Sequence, residues 1–415
     1  MRLGRLTRFS LGVCVTLLGV AACEPQVGRW KPALGISTER DSAGVRIVEN
    51  AERHPDNVFR TSAEPVLILG AEPTADAFLL EVSGAVAFDR GPIVVANGGL
   101  RQLYWYDRKG RLTDRTGGAG SDPGQFMRLT DIRRNGRDSL SVYDIRLRRL
   151  SSIHRSGVFT GSVSLPVVES MPSGLPLGMF EDGQIAAYQG SFLMRDTGTV
   201  RMERLTREIF RFDPVTDSVF TIVVANGPEV MVVPDVLPRG GMVKRRRRFG
   251  RTGVYVVWNN SLAVGDNATY EFRLYDQTGT LQTIVRKDYE RLAITNDHLQ
   301  RVRTAQLETI LDDGVRERIA QLFDVEPPPP EFMPAFGERI LVDGQDRLWV
   351  ADYGWPLDGP TEWSVFDGSG RLVAHVTTPA NEWVSYASDD LILTVVTDES
   401  GREYVRGYSL ESMTP

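Results

Sequence analysis

Short apolar runs recur along this chain, each of strand length and each stopped by turn residues. Ile93-Val94-Val95-Ala96-Asn97 is one and Leu140-Ser141-Val142-Tyr143-Asp144 another; Leu262 to Asp266 and Leu348 to Asp352 follow the same plan. A short continuous apolar run bounded by turn residues reads as a buried strand. A second string follows each run: an aromatic residue, an Asp, then a glycine and an apolar residue, as in Tyr106-Asp107-Arg108-Lys109-Gly110-Arg111-Leu112. Tyr275-Asp276 and Phe366-Asp367 open equivalent strings, and Ile153-His154 opens a variant. Asp-x-x-Gly is a tight turn, because the Asp side chain bonds nearby backbone amides and glycine tolerates a left-handed backbone. The offset from Asn97 to Asp107, from Asp144 to His154 and from Asp266 to Asp276 is 10 residues each time; in the unit at Asp352 it is 15.

A further strand precedes the first run in several units: Ala85–Phe88, Val254–Trp258 and Arg339–Val342. The repeating unit is therefore a four-stranded meander of about 40 residues, the pattern of a propeller blade. Six units can be drawn, centred on Val94, Val142, Ala186, Val264, Val350 and Leu393. The sixth runs from Asp390 to Leu410, lacks the Asp-x-x-Gly turn and needs a fourth strand. Pro65 to Leu69 is expected to supply it and so remove two raw sheet edges. The alternative is an independent amino-terminal hairpin with Gly44 to Val48. The expected fold class is all-β, a six-bladed β-propeller over residues 44–415.

Strand parity places the long insertions. In such a meander the loops between strands two and three, and the links between blades, share one face. The insertions Gln189–Glu208, Gly227–Gly253, Ala293–Phe332 and Tyr353–Glu362 are all of this kind, so they should decorate a single face, where binding residues usually lie. Residues 293–332, between blades four and five, read as helical. Leu299, Val302, Leu307, Ile310, Leu311, Val315, Ile319 and Leu322 recur at three- and four-residue steps, Thr295-Asn296-Asp297 can cap the start, Gly314 can break it, and Pro327 to Pro330 end it.

The amino end changes the picture of compartment. Arg2, Arg5 and Arg8 precede an apolar run from Phe9 to Val20, too short to span a bilayer, then Val20-Ala21-Ala22 and Cys23. Residues 1–22 are thus expected to be a secretory signal peptide and 23–43 a tether. The small residues before Cys23 resemble the lipobox of bacterial lipoproteins, which implies a diacylglycerol on the Cys23 thiol. Glu24 rather than Asp favours the outer membrane in that group. The other cysteine, Cys14, lies in the leader, so the mature 393 residues (415 less 22) hold no internal disulfide. Net charge of −6 argues against nucleic acid as a partner.

Gly117-Gly118-Ala119-Gly120-Ser121-Asp122-Pro123-Gly124-Gln125-Phe126, then Leu140 to Asp144, then Arg149, resemble the NHL repeat. Phe336 to Asp352 is a partial second match. The mature chain is similar to six-bladed propeller lipoproteins related to NHL and TolB-type propellers, a group that implies interaction modules, lactonase-like hydrolases and lyases. Architecture follows from this; activity does not.

Candidate chemistry is sparse. His54, His154, His298 and His375 are not spaced as metal pairs, and neither a G-x-S-x-G elbow nor a P-loop occurs. Asn97, Asp144, Asp266 and Asp352 recur blade by blade on the insertion-bearing face. They read either as turn-forming side chains or as an axial calcium set, which would need about six or more oxygens. Trp355 could stack on a sugar or peptide. Lys244-Arg245-Arg246-Arg247-Arg248 should face solvent as a positive patch. These ten residues make the candidate ligand face. The expectation is a cell-envelope lipoprotein acting as a non-enzymatic binding or scaffold propeller for a protein, peptide or glycan, without a cofactor. The alternative is a lactonase-like hydrolase or lyase with an axial metal. The feature that separates them is a set of unlike polar residues at the tunnel mouth.

Overall fold

The computed structural model describes residues 36–54, 56–71, 78–167, 175–189, 195–196, 198–235, 241–355 and 358–413. The expected signal peptide, Cys23 and most of the expected tether lie outside the described residues. Four short strands come first: β1 (Ser37–Ser42), β2 (Val45–Asn50), β3 (Val58–Thr61) and β4 (Leu67–Leu69). Blade one is β5 (Val82–Ala87), β6 (Ile93–Asn97), β7 (Gln102–Tyr106) and β8 (Leu112–Gly117). Blade two is β9 (Leu129–Asn135), β10 (Ser139–Asp144), β11 (Arg149–His154) and β12 (Phe159–Ser164). Blade three is built on β13 (Leu175–Met179), β14 (Ile185–Gln189), β15 (Arg195–Asp196), β16 (Arg201–Asp213), β17 (Ser218–Pro234) and β18 (Met242–Arg246). Blade four is β19 (Gly253–Trp258), β20 (Ser261–Asp266), β21 (Glu271–Tyr275) and β22 (Leu281–Lys287). Two helices follow, α1 (Asn296–Glu308) and α2 (Asp313–Val325). Blade five is β23 (Phe336–Val342), β24 (Leu348–Asp352), β25 (Thr361–Phe366) and β26 (Leu372–Thr378). Blade six is β27 (Trp383–Ala387), β28 (Ile392–Thr397) and β29 (Glu403–Tyr408), and β30 (Leu410–Ser412) ends the chain.

These strands form six sheets, each containing a four-stranded antiparallel meander. The first strand of every blade lines one axial cavity, and apolar clusters fill the seams between successive blades. The fold is an all-β propeller with a helical insertion between blades four and five. The second strand of a blade is flanked by neighbours on both faces, which is why β6, β10, β24 and β28 are buried almost without alternation. Inner strands approach closely where glycine permits. A Cβ on Gly84 would fall 2.9 Å from Ile132 Cγ2, and one on Gly178 would fall 2.8 Å from Val257 Cβ.

Strand β4 pairs antiparallel with β29 and completes blade six, as the Pro65–Leu69 run suggested. The Gly44–Val48 run also forms a hairpin strand, but not an independent one. Strands β1 and β2 pair with each other, and β2 runs parallel to β22 on the outer edge of blade four. Sheet structure therefore starts at Ser37, inside the segment expected to be tether. Strand β3 likewise adds to β26, with β30 beyond it. The amino-terminal segment thus straps blades four, five and six together.

Three expectations are corrected. The stretches 189–208 and 227–253, read as loops, mostly continue blade three: β16 and β17 run 13 and 17 residues as one hairpin, joined by β18 and β15. Dense charge in β16 hid its alternation, and Gly227-Pro228 hid the continuity of β17. Gly314 does not break the helices. The break spans 309–312, where Asp312 caps α2 by accepting from the Val315 amide, and Gly314 sits in the first turn of α2. Blade six does contain an Asp-x-x-Gly turn, Asp398 to Gly401, with Gly401 at φ 82°. It joins the second and third strands, because the fourth comes from the amino end.

Candidate functional site: the axial mouth and the cap

The recurrent side chains at the ends of the second strands do not converge. Asn97 is fully buried; it accepts from the Leu80 amide and donates to the Phe78 carbonyl. Asp144 is fully buried and accepts from four amides, those of Met127, Arg128, Arg146 and Leu147. Asp266 accepts from Arg204 at 3.0 Å, Asn226 at 2.8 Å and the Ala268 amide. Asp352 accepts from Tyr270, Ser364 and Lys287 at 2.7, 3.0 and 3.4 Å. Each is committed to a turn or to a neighbouring strand, and none lines the axial cavity. Among the described residues no three His, Cys, Asp or Glu side chains are grouped to hold a metal ion, so an axial calcium set does not fit this arrangement.

The axial cavity, about 1060 Å3, opens on the other face, among the turns between first and second strands. Its wall mixes Ile132, Leu177, Val257, Ile340 and Val384 with Ser83, Asp131, Arg133 and Ser385. Its mouth gathers unlike polar side chains from several blades. Blade one brings Asp89, and blade two brings Arg134, Arg137, Asp138 and Arg155. Blades three, four and five bring Glu181, the pair Asn259-Asn260, and Asp343 with Asp346. Sequence parity pointed to the opposite face because it weighed loop length; these mouth turns are short and looked purely structural.

The turn chemistry explains how the mouth is held. Asn259 and Asn260 have φ of 49° and 54°, a two-residue hairpin turn for which Asn is suited. Asn260 accepts from the Glu181 amide at 3.0 Å, and the Asp346 carboxylate accepts from the Asn259 amide at 3.3 Å. The Trp258 indole donates to the Asp346 carbonyl at 2.9 Å. Blades three, four and five are thereby stitched at the rim. Burial, with Asp343 and Glu181 nearby, raises the Asp346 carboxyl above its ordinary value. Asp343 is satisfied by Arg347 at 2.6 Å and the Trp349 indole at 2.8 Å. Across the mouth, Arg134 pairs with Asp89 at 2.9 Å and Arg155 with Asp138 at 3.1 Å. Arg137 is exposed on that side. The side from blades three and five therefore carries an excess of carboxylates, and the side from blades one and two an excess of guanidiniums.

The insertion-bearing face carries a cap. Strands β16 to β18 extend over it, and α2 packs on them through Ile319 and Leu322 against Met231, Val233 and Val243, with Leu307 of α1 at the edge of this cluster. The basic run is not a solvated loop. Its first three residues end β18, and four of its five cations meet carboxylates: Lys244 with Glu203, Arg246 with Glu338, Arg247 with Glu229 and Arg248 with Glu326. Trp355 packs edge-on to His298 at 4.7 Å and near Phe249 at 6.0 Å. His298 itself closes a capping box with Thr295 at the start of α1.

A polar cluster missed in the sequence lies between blades four and five. Lys287, Tyr270, Ser364 and His375 are buried around Asp352. The His375 ring nitrogen Nε2 is buried without a hydrogen-bond partner. Burial, then the Lys287 charge, pushes the His375 ring down to about 4. Cross-strand pairing sets Ser364 beside His375, and Tyr270 and Lys287 reach Asp352 from the neighbouring blade, contacts that are not visible before the blades are aligned.

No family model and no curated protein matches this chain. Solved structures resemble it in fold. A member of the DUF4221 family from Bacteroides vulgatus is 12% identical with a TM-score of 0.49, over 86% of this chain and 99% of that one. A gluconolactonase from Xanthomonas campestris is 12% identical, with a TM-score of 0.38 over 86% and 99%. A virginiamycin B lyase from Staphylococcus aureus is 10% identical, with a TM-score of 0.37 over 84% and 99%. Among the described residues no helix is long and apolar enough to cross a membrane.

Proposed function

We propose that this chain is a lipid-anchored binding propeller of the bacterial cell envelope, held by Cys23, that takes a peptide-sized ligand at the axial mouth. The observation that carries this reading is the convergence of unlike polar side chains from five blades, charged ones from four of them, on one cavity. Cavities of a few hundred to about 1,000 Å3 with a few convergent polar groups are where ligands usually sit. A ligand ammonium would face Glu181 and Asp346, and a ligand carboxylate would face Arg137 and its neighbours. Several mouth carboxylates are already neutralised by guanidiniums, which suits recognition more than proton transfer.

The same convergence is what an axial hydrolase or lyase would need, and that is the second reading. One experiment separates them. The chain starting at Glu24 is heated with a set of short peptides and with lactone substrates, following its unfolding midpoint and any product. A ligand that binds only the native state raises the midpoint. Peptides carrying both charges should raise it, and an Arg155→Gln/Glu181→Gln variant should lose the shift. Turnover of a lactone without any peptide response would replace the binding reading with the enzymatic one.

A further inference from the structure

In the basic run on the cap, every cation but one meets a carboxylate. The exception is Arg245, whose guanidinium makes neither a hydrogen bond nor an ion pair among the described residues, and whose Nε is buried without a partner there. Arg245 sits at the end of β18, opposite Met231 of the cap core. Two further guanidiniums stand nearby. Arg248 lies 3.6 Å over the Phe323 ring, pairs with Glu326 and donates to Gln306 at 2.9 Å. Arg303 lies 5.2 Å from the same ring and donates to the Ala320 carbonyl and to Asp324, each at 3.4 Å, the latter a carboxylate that is 67% exposed. Burial, then Arg245 and Arg303, pulls the Arg248 guanidinium down to about 10.

A buried donor left without an acceptor is costly, and like charges at short range repel. Both costs fall if a compact anion with several acceptor oxygens enters between the three forks. Guanidinium groups match phosphate in geometry as well as charge. We propose that Arg245, with Arg248 and Arg303, forms a phosphate-binding site on the cap, independent of the axial mouth. The shared chemistry is a phosphate group, either free or on the headgroup of an anionic lipid.

The test titrates inorganic phosphate into the chain starting at Glu24 at constant ionic strength, with chloride as the reference salt. Phosphate should raise the unfolding midpoint saturably, and Arg245→Gln should weaken the response at least tenfold. Arg303→Gln should weaken it too, while Arg301→Gln, on the solvent side of α1, should not. Without phosphate, Arg245→Gln should be as stable as the parent or more so, since an unsatisfied cation is removed. Cosedimentation with phosphatidylglycerol vesicles, against phosphatidylcholine, separates the sources: Arg245-dependent pelleting assigns lipid, and a response to inorganic phosphate alone assigns a free phosphate. A midpoint that responds equally in the parent and Arg245→Gln, no response to either form, or a destabilised Arg245→Gln chain would overturn the proposal.

Discussion

Acid should loosen this propeller through one histidine. His375 is buried in β26 beneath the amino-terminal strap, and its backbone amide donates to the Asn57 carbonyl. Lys287, Asp352, Arg53 and His54 are the charged or titratable groups that act on it. The ring falls from an ordinary 6.5 to about 4 in the folded chain, so the unfolded chain takes up the proton first. The contribution is present in full above about pH 6.5 and is lost as pH falls towards about 4. Two to three pKa units amount to about 3 kcal/mol in all, of which about 2 kcal/mol is gone by about pH 5. The carboxyls of Glu39 and Asp398, each held at about 2, lose their contribution mainly below about pH 4.5, beneath the pH range of the unfolding series. Urea unfolding of the parent and of His375→Gln, followed between pH 7.5 and 5, isolates the histidine, because His54 is present in both. The parent should lose about 2 kcal/mol more than the variant. Equal losses would refute the argument.

Three further outcomes follow from the fold. Leu69, fully buried in β4, closes the ring, so Leu69→Ala should cost about 2–5 kcal/mol, read as a lower urea midpoint. Asp144→Ala strips four backbone amides of their acceptor and should cost about 3 kcal/mol in the same assay, with no change in calcium response. Cys23→Ser should move the expressed chain from the membrane fraction to the soluble fraction of the envelope; unchanged fractionation would remove the lipid anchor from the account.

Much of the fold was legible because local chemistry and global topology agree. The Asp-x-x-Gly turns at Asp107, Asp276 and Asp367 place their carboxylates on the amides two and four residues on, and each glycine has φ near 80°. That repetition carries the blade pattern, and the incomplete sixth blade called for β4. The cap was less legible. Charged residues such as Glu203 and Arg207 sit at intervals along β16, and the partners that neutralise Lys244 to Arg248 lie as far away in sequence as Glu326 and Glu338. Repetition also misled. Asn97, Asp144, Asp266 and Asp352 recur because each secures a turn or a seam, whereas the axial mouth draws a different side chain from each blade. Such a set leaves no periodic trace: Arg134, Glu181, Asn260 and Asp346 are neighbours only once the ring is closed.

The central claim is that ligand is held at the axial mouth, on the face opposite the cap. Hydrogen–deuterium exchange of the chain starting at Glu24, with and without the best-binding peptide, tests it most directly. Exchange should slow in the turns 135–138, 259–260 and 343–346, and stay unchanged in α1, α2 and the distal half of the β16–β17 hairpin. Protection confined to the helices and that hairpin, with the mouth turns unaffected, would contradict the account and move the ligand to the cap.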